Sequence, residues 1–314
     1  MPDRDLFLTM AGPVLGAYLQ DSTVIEILIN DNRTCYLERF GQEMAPAACP
    51  EEDDLDRFLC VVADEVEQEW RVTSPSLHAA FDDLRWRMQA SRPPQTPWRT
   101  LALRKHPTEI YPLEDFVAKQ VLTEAHVRVL RAAMLQGLRV LLGGATGSAK
   151  TSILNALIAE PCMAEVRLVI LEDDPEILPT WPNRILQRTH GKAVMTTLVK
   201  ESLRNRPDRV IVGEVRTAAV SDLLWAFRTG HGGLGTLHAE SVRDTLKVVE
   251  SLILQGGQTP DRDTIGHGVD LIMHMEKQRG KRRCTGIVAV DGYRGDGEYD
   301  LRTVAEATPW EMAA

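Results

Sequence analysis

Basic charge is in short supply in this chain of 314 residues, which carries a formal net charge of −9. A coat of nucleic acid or an anionic membrane is therefore excluded as a default partner, although a local basic patch is compatible with the total. Cysteine is scarce and badly placed for pairing: Cys35, Cys49, Cys60, Cys162 and Cys284 are odd in number, widely spaced and without a Cys-x-x-Cys pair. That argues against a disulfide framework and against a zinc site, and for thiols kept reduced. No apolar run approaches the 18 or so residues of a membrane span. The opening residues, Met-Pro-Asp-Arg-Asp, lack the basic start and apolar stretch of a signal peptide, so a cytoplasmic location is expected. No internal repeat and no low-complexity segment is found.

What remains is the composition of a globular protein, 44% apolar and 26% charged, long enough for two ordinary domains. Residues 24–29, Val-Ile-Glu-Ile-Leu-Ile, and 34–38 read as strands joined by an Asn-Asp-Asn turn. The acidic stretch 51–56 opens a helix running to about 68, where carboxylates suit the helix dipole. Strands follow at 84–90 and 101–105. These elements form an α+β N-terminal domain over 1–106, and the proline-bearing stretch 107–114 reads as a linker.

From 115 to 314 strands and helices alternate, which implies a parallel sheet with crossover helices. A helix over 124–136 is expected to end at Gly137, a C-terminal cap. Strands are expected at 138–142, 166–171, 209–212 and 235–238, and helices at 194–205 and 218–228. The tail strands 271–276, 283–290 and 298–304 suggest a small antiparallel meander.

The most telling ten residues are 143–152, Gly-Gly-Ala-Thr-Gly-Ser-Ala-Lys-Thr-Ser, set between a strand and a helix. They make a phosphate-binding loop, in which turn N–H groups and the helix dipole favour phosphate charge. Gly144, Ala145, Thr146, Gly147, Ser148, Ala149, Lys150, Thr151 and Ser152 are the expected binders of ATP. Lys150 pairs with the β- and γ-phosphates and the Thr151 hydroxyl with Mg²⁺. Ala149 stands where the motif has its second glycine. With positive φ there, alanine is strained by about 1 kcal/mol or more. With helical φ it is nearly neutral.

Two acidic segments narrow the chemistry. Residues 172–176, Glu-Asp-Asp-Pro-Glu, lie at the end of a buried strand, where ligands of parallel sheets bind. Glu172 and Asp173 are the candidates there for holding Mg²⁺ or polarising water. Glu214, at the end of strand 209–212, is the candidate general base for water attack on the γ-phosphate. Residues 230–239, Gly-His-Gly-Gly-Leu-Gly-Thr-Leu-His-Ala, suggest a mobile backbone able to approach a ligand closely, with His238 placed to sense the γ-phosphate. Arg204, Arg206 and Arg209 are open to surface ion pairing or to phosphate contact, including phosphates of a neighbouring subunit. Lys277, Arg279, Lys281, Arg282 and Arg283 form the densest basic run, read as a solvated hairpin tip.

Taken together, the phosphate loop, the acidic box, Arg-Asn-Arg-Pro-Asp-Arg-Val-Ile-Val-Gly-Glu-Val-Arg and the Gly-His-Gly-Gly segment resemble the secretion-superfamily ATPases, above all the TrbB-like conjugal-transfer ATPases of type IV secretion systems. The resemblance spans nearly the whole chain. It implies a RecA-like P-loop domain behind a smaller N-terminal domain. It also implies a ring-shaped homohexamer at the cytoplasmic face of the inner membrane, where ATP turnover works with other secretion components in pilus assembly and DNA transfer. By the same resemblance Glu214 is the Walker B glutamate, Gly213 replaces the usual Walker B aspartate, and His231 and His238 lie in a histidine box. Arg104, with Arg87 behind it, matches a basic strand end that reaches the nucleotide. The alternatives are a type II secretion or type IV pilus ATPase, and a nucleotide-binding assembly component that does not hydrolyse. Direct contact with nucleic acid is left open.

Overall fold

The computed structural model describes residues 4–81, 83–189, 193–216, 219–278 and 280–306. The chain forms two compact units, the first chiefly the residues up to Thr108 and the second chiefly those from Glu109 on, each with its own sheet.

The N-terminal unit opens with two short helices absent from the sequence reading, α1 (Arg4–Met10) and α2 (Gly12–Gln20). Then come β1 (Val24–Ile29), β2 (Cys35–Arg39), β3 (Ala45–Ala47), α3 (Glu52–Glu65), β4 (Ser76–Phe81), β5 (Trp86–Ser91) and β6 (Thr100–Lys105). The strands pair antiparallel in the order β3-β2-β1-β6-β5-β4. One face alternates inward: Ile27, Leu37, Met88 and Leu103 are buried against Phe7, Leu15, Phe58 and Leu59 of the helices. Period-two burial on one side and a helical layer on it are what make this unit α+β.

The C-terminal unit starts with α4 (Leu113–Ala118) and α5 (Glu124–Gln136). Helix α5 is capped at both ends. At its start Thr123 Oγ1 accepts from the His126 N–H, while His126 Nδ1 accepts from the Thr123 N–H at 3.0 Å. Because a backbone N–H only donates, the remaining imidazole hydrogen is on Nε2, which donates to the Glu306 carbonyl at 2.6 Å. This buried ring replaces the Glu or Gln of a usual capping box, and burial holds its pKa below the ordinary value, in keeping with a neutral ring. At the other end Gly137 adopts φ 70°, the left-handed cap expected from the sequence.

The sheet follows: β7 (Arg139–Gly144), α6 (Lys150–Ile158), β8 (Leu168–Glu172), β9 (Arg184–Arg188), α7 (Met195–Ser202), β10 (Arg209–Val212), α8 (Ala219–Arg228), β11 (Gly232–Leu237), α9 (Asp244–Gln255), α10 (Arg262–Gly268), β12 (Leu271–Gln278), β13 (Lys281–Tyr293) and β14 (Tyr299–Ala305). Its order is β14-β13-β12-β7-β11-β10-β8-β9, with every pair from β12 to β9 parallel and β13/β14 antiparallel. The three tail strands lie side by side, as the meander reading expects, but they are not detached from the main sheet. Strand β12 pairs in parallel with β7, so the tail extends the main sheet by three strands.

Helices cover both faces of the parallel strands, which is why these read as continuous apolar runs. Val140, Leu142, Ile170 and Ile211 pack on the side of α5 and α6, while Leu141, Val169 and Val210 pack on the side of α7, α8 and α9. Each such side chain contributes about 1.5–3 kcal/mol on leaving water. With both faces sealed, polar chemistry is left to the strand ends.

Candidate nucleotide site at the carboxyl edge of the sheet

Strand β7 delivers the phosphate loop. Gly144 has φ 146°, and a β-carbon there would lie 2.2 Å from the Met275 carbonyl oxygen, so only glycine lets the loop turn beside β12. The Ser148 N–H closes the turn onto the Ala145 carbonyl at 3.3 Å. Lys150, 7% exposed, folds back so that its ammonium donates to the carbonyls of Gly144 (2.7 Å) and Ala145 (2.8 Å). Thr146, Gly147 and Ser152 complete the loop and the first turn of α6.

Of the two possibilities left open for Ala149, the structure has the strained one: φ 77°, ψ 20°. A left-handed alanine costs about 1–2 kcal/mol relative to its relaxed backbone. Glycine avoids that cost but gives back about 0.5–1 kcal/mol in unfolded-chain entropy. Ala149→Gly is thus expected to stabilise the protein and raise its melting temperature by about 1–4 °C. A calorimetric scan of both proteins checks this, and a lower melting temperature for the glycine variant contradicts it.

The acidic box divides its carboxylates between two tasks. Glu172, 2% exposed, accepts the Ile177 N–H at 2.8 Å and the Glu176 N–H at 3.1 Å, and pairs with Arg188 Nε at 2.9 Å. Through these bonds it shapes the loop. Asp173 accepts the Thr189 hydroxyl at 2.9 Å. Glu176 meets the phosphate loop: its Oε2 accepts the Thr151 hydroxyl at 2.9 Å. Asn155, from α6, donates to the Glu176 carbonyl and accepts the Leu178 N–H, fixing that segment on the helix. Glu176 is the residue the sequence reading passed over. Its acidic run was noted, but sequence does not say which carboxylate turns inward.

A pair of variants separates the two tasks. Glu172→Ala removes the buried acceptor of Arg188 Nε and of two backbone donors, and is expected to cost about 3 kcal/mol. Glu176→Gln is expected to stay within about 1 kcal/mol of the parent, because its amide oxygen still accepts from Thr151. Urea unfolding of both checks the contrast, and equal stabilities contradict it.

Strand β10 ends at Gly213-Glu214. A β-carbon at Gly213 would stand 3.2 Å from the Glu172 β-carbon, so the packed acidic box leaves little room for the aspartate often found there. The Glu214 carboxylate accepts from Arg216 and lies 3.1 Å from His238 Nε2. Burial alone would raise its pKa; the Arg216 hydrogen bond and charge, with His238 and Lys150, outweigh it and hold the group below the ordinary value. Glu214 is accordingly held as an anion beside Arg216 and Lys150. His274 of β12 braces the neighbouring turn: its Nε2 lies 3.1 Å from the carbonyl of Ala239, next to His238, and its Nδ1 lies 2.7 Å from the Thr285 hydroxyl.

The strand expected at 235–238 is β11, which begins earlier, at Gly232, and is fully buried, so the glycine backbone from there on is held in the sheet rather than mobile. At Gly235 a β-carbon would meet Val215 Cγ2 at 3.0 Å and Leu223 Cδ2 at 3.2 Å, so close packing against the turn after β10 and against α8 explains the small residue there. Residue 231 precedes this strand and 238 follows it, so the six residues of β11 put them at opposite edges of the sheet, about 20 Å apart. His231 is instead 3.0 Å from the Pro207 carbonyl. Arg204, Arg206 and Arg209 precede or begin β10, at that same far edge. Arg104 lies on β6 of the N-terminal unit, across from Glu26 on β1 and Arg87 on β5.

The donors that could serve a divalent cation, the Thr151 hydroxyl and the Glu176 carboxylate, are hard oxygens, the set Mg²⁺ takes together with phosphate. Among the described residues no helix is long and apolar enough to cross a membrane.

Comparison with known proteins agrees with this architecture. Residues 75–281 match the family described as Type II/IV secretion system protein. The probable conjugal transfer protein TrbB of Sinorhizobium fredii strain NGR234 is 34% identical over 295 residues, covering 93% of this chain and 90% of that protein. Two solved structures share the fold. The ATPase DotB of Legionella pneumophila superposes with TM-score 0.63 at 17% identity, over 86% of this chain and 78% of DotB. The pilus retraction motor PilT with bound ADP superposes with TM-score 0.56 at 19% identity, over 92% of this chain and 80% of PilT. The chain belongs to the type II/IV secretion system family of ATPases, within its TrbB-like conjugal transfer branch.

Proposed function

We propose that this chain hydrolyses ATP and, as a homohexamer at the cytoplasmic face of the inner membrane, powers conjugative type IV secretion. The observation that carries the reading is the convergence of Lys150, the Thr151–Glu176 pair and the Glu214–His238 pair at one edge of the sheet.

The chemistry follows from what each group can do. The triphosphate takes the N–H groups of the loop, and the Lys150 ammonium exchanges the Gly144 and Ala145 carbonyls for phosphate oxygens. Thr151 and Glu176 would hold Mg²⁺, which neutralises phosphate charge when bound. Glu214, kept ionised, accepts the proton of the attacking water and orients it. His238, beside Glu214, is positioned to respond to the γ-phosphate. Glu172 supports these groups by holding the acidic loop in shape.

Steady-state ATP hydrolysis by the purified protein tests the enzymatic part, and sedimentation with and without ATP tests the assembly. Mg²⁺-dependent phosphate release and a hexameric species are the expected results. Binding without release of phosphate would favour the non-hydrolysing assembly component, for which the strained Ala149 is the one structural motive.

A further inference from the structure

The basic run 277–283 is not simply a solvated tip. Strand alternation sends its members to different places, and two of them reach the phosphate loop. Arg282 Nε, on β13, donates to the Gly147 carbonyl at 2.8 Å. Lys277, on β12, has its ammonium 3.5 Å and its Cδ 3.8 Å from where a Gly147 β-carbon would stand. Arg283, the next residue, turns the other way and pairs with Glu276 at 3.0 Å. Arg279 lies outside the described residues.

Gly147 is at the crest of the loop, with φ 69°. Its carbonyl and the Ser148 N–H belong to one planar trans peptide and point in opposite directions. Holding the carbonyl outward on Arg282 therefore keeps the Ser148 N–H turned into the loop, where it now meets the Ala145 carbonyl. Ser148 itself is fully buried, and its Oγ has no hydrogen-bond partner. Lys277 adds a positive charge above the same crest, where a polyphosphate has to arrive.

We infer that the β12–β13 hairpin clamps the phosphate loop, Arg282 as a positioning residue for the Gly147–Ser148 peptide and Lys277 as a second cation for nucleotide phosphate. The inference rests on the nucleotide-binding reading above and adds a determinant outside the loop motif. It assigns the clamp to the phosphates of a nucleoside di- or triphosphate, irrespective of the base. Because the Lys277 contribution is a charge near a charge, it weakens with salt; the Arg282 contribution works through a hydrogen bond and does so less.

The test is the affinity of full-length protein for the fluorescent ADP analogue mant-ADP, well below each variant's melting temperature, at two salt concentrations. Arg282→Ala is expected to weaken binding about 10-fold, Arg282→Lys less, and Lys277→Ala about 3–10-fold with a shallower salt dependence. Arg283→Ala, on the same strand but paired with Glu276, is expected to bind like the parent. If Arg282 were merely structural, Arg282→Ala would melt earlier yet bind with unchanged affinity while folded. That result, together with unchanged binding by Lys277→Ala, overturns the clamp. Lys150→Ala distinguishes the two failures. If it loses binding while both hairpin variants keep it, the clamp alone is wrong. If the parent does not bind mant-ADP, the nucleotide reading is wrong and the clamp falls with it.

Discussion

Replacing Glu214 by glutamine is expected to leave ATP binding intact and to lower turnover by about 10²–10⁴-fold. The two side chains have nearly the same shape, and the glutamine oxygen still accepts from Arg216, so the turn after β10 keeps its form. What is lost is the ability to take a proton from water. The carboxylate is well prepared for that task in one respect and handicapped in another. Arg216, His238 and Lys150 keep it ionised in spite of its burial, so it is ready to accept. The same cations make it a weaker base than a relaxed carboxylate. Bound triphosphate changes the balance, because its negative charge competes for Lys150 and Arg216 and raises the proton affinity of Glu214 as the reaction begins. The glutamine variant also removes one negative charge from a site that must accept several, so nucleotide affinity is expected to stay the same or increase. Phosphate release under saturating ATP, measured with mant-ATP binding on the same samples, checks both halves. Turnover within threefold of the parent means that another group activates the water.

The parts of this arrangement that sequence revealed are those in which a local pattern has one physical meaning. A glycine-rich turn between a buried strand and Lys-Thr makes a phosphate loop almost wherever it occurs. Strands β1 and β10 were legible to the residue, because six and four apolar-rich positions bounded by turn chemistry leave little choice. What stayed hidden depends on the third dimension. Glu172 and Glu176 look equivalent in an acidic run, yet one is consumed by Arg188 and backbone donors while the other reaches Thr151. His231 and His238 fall in one short histidine box, and a fully extended strand sets them apart. Strand β9, Arg-Ile-Leu-Gln-Arg, was missed because an edge strand carries polar residues at its ends and gives no long apolar run. The β12 strand and its neighbour β13 are legible as part of the tail meander, whereas the pairing of β12 with β7 is a long-range choice that a local pattern does not record. Arg282 was the least legible of all. Nothing in a basic run says that one guanidinium will hold a carbonyl of the phosphate loop 135 residues away.

Lys150→Ala is expected to have the larger effect on binding, an affinity loss of about 10²–10⁴-fold for ATP. The estimate comes from two charge-assisted hydrogen bonds to phosphate at about 1.5–3 kcal/mol each. The ammonium makes two hydrogen bonds, at 2.7 and 2.8 Å, to loop carbonyls. Binding therefore exchanges neutral acceptors for anionic ones, and only the difference reaches the affinity, which favours the lower part of that range. The variant loses something in the free protein as well. The buried Gly144 carbonyl and the more exposed Ala145 carbonyl both give up a donor, so unfolding is expected to cost about 1–3 kcal/mol less, chiefly through Gly144. Stability and affinity thus fall together, whereas in Glu214→Gln both hold and turnover alone falls. Isothermal titration with ATP, beside urea unfolding of the free protein, separates the two contributions for Lys150. An affinity within fivefold of the parent would mean that phosphate charge is met by other cations of the site, Lys277 and Arg216 among them, and that the loop motif is not the chief anchor of the nucleotide.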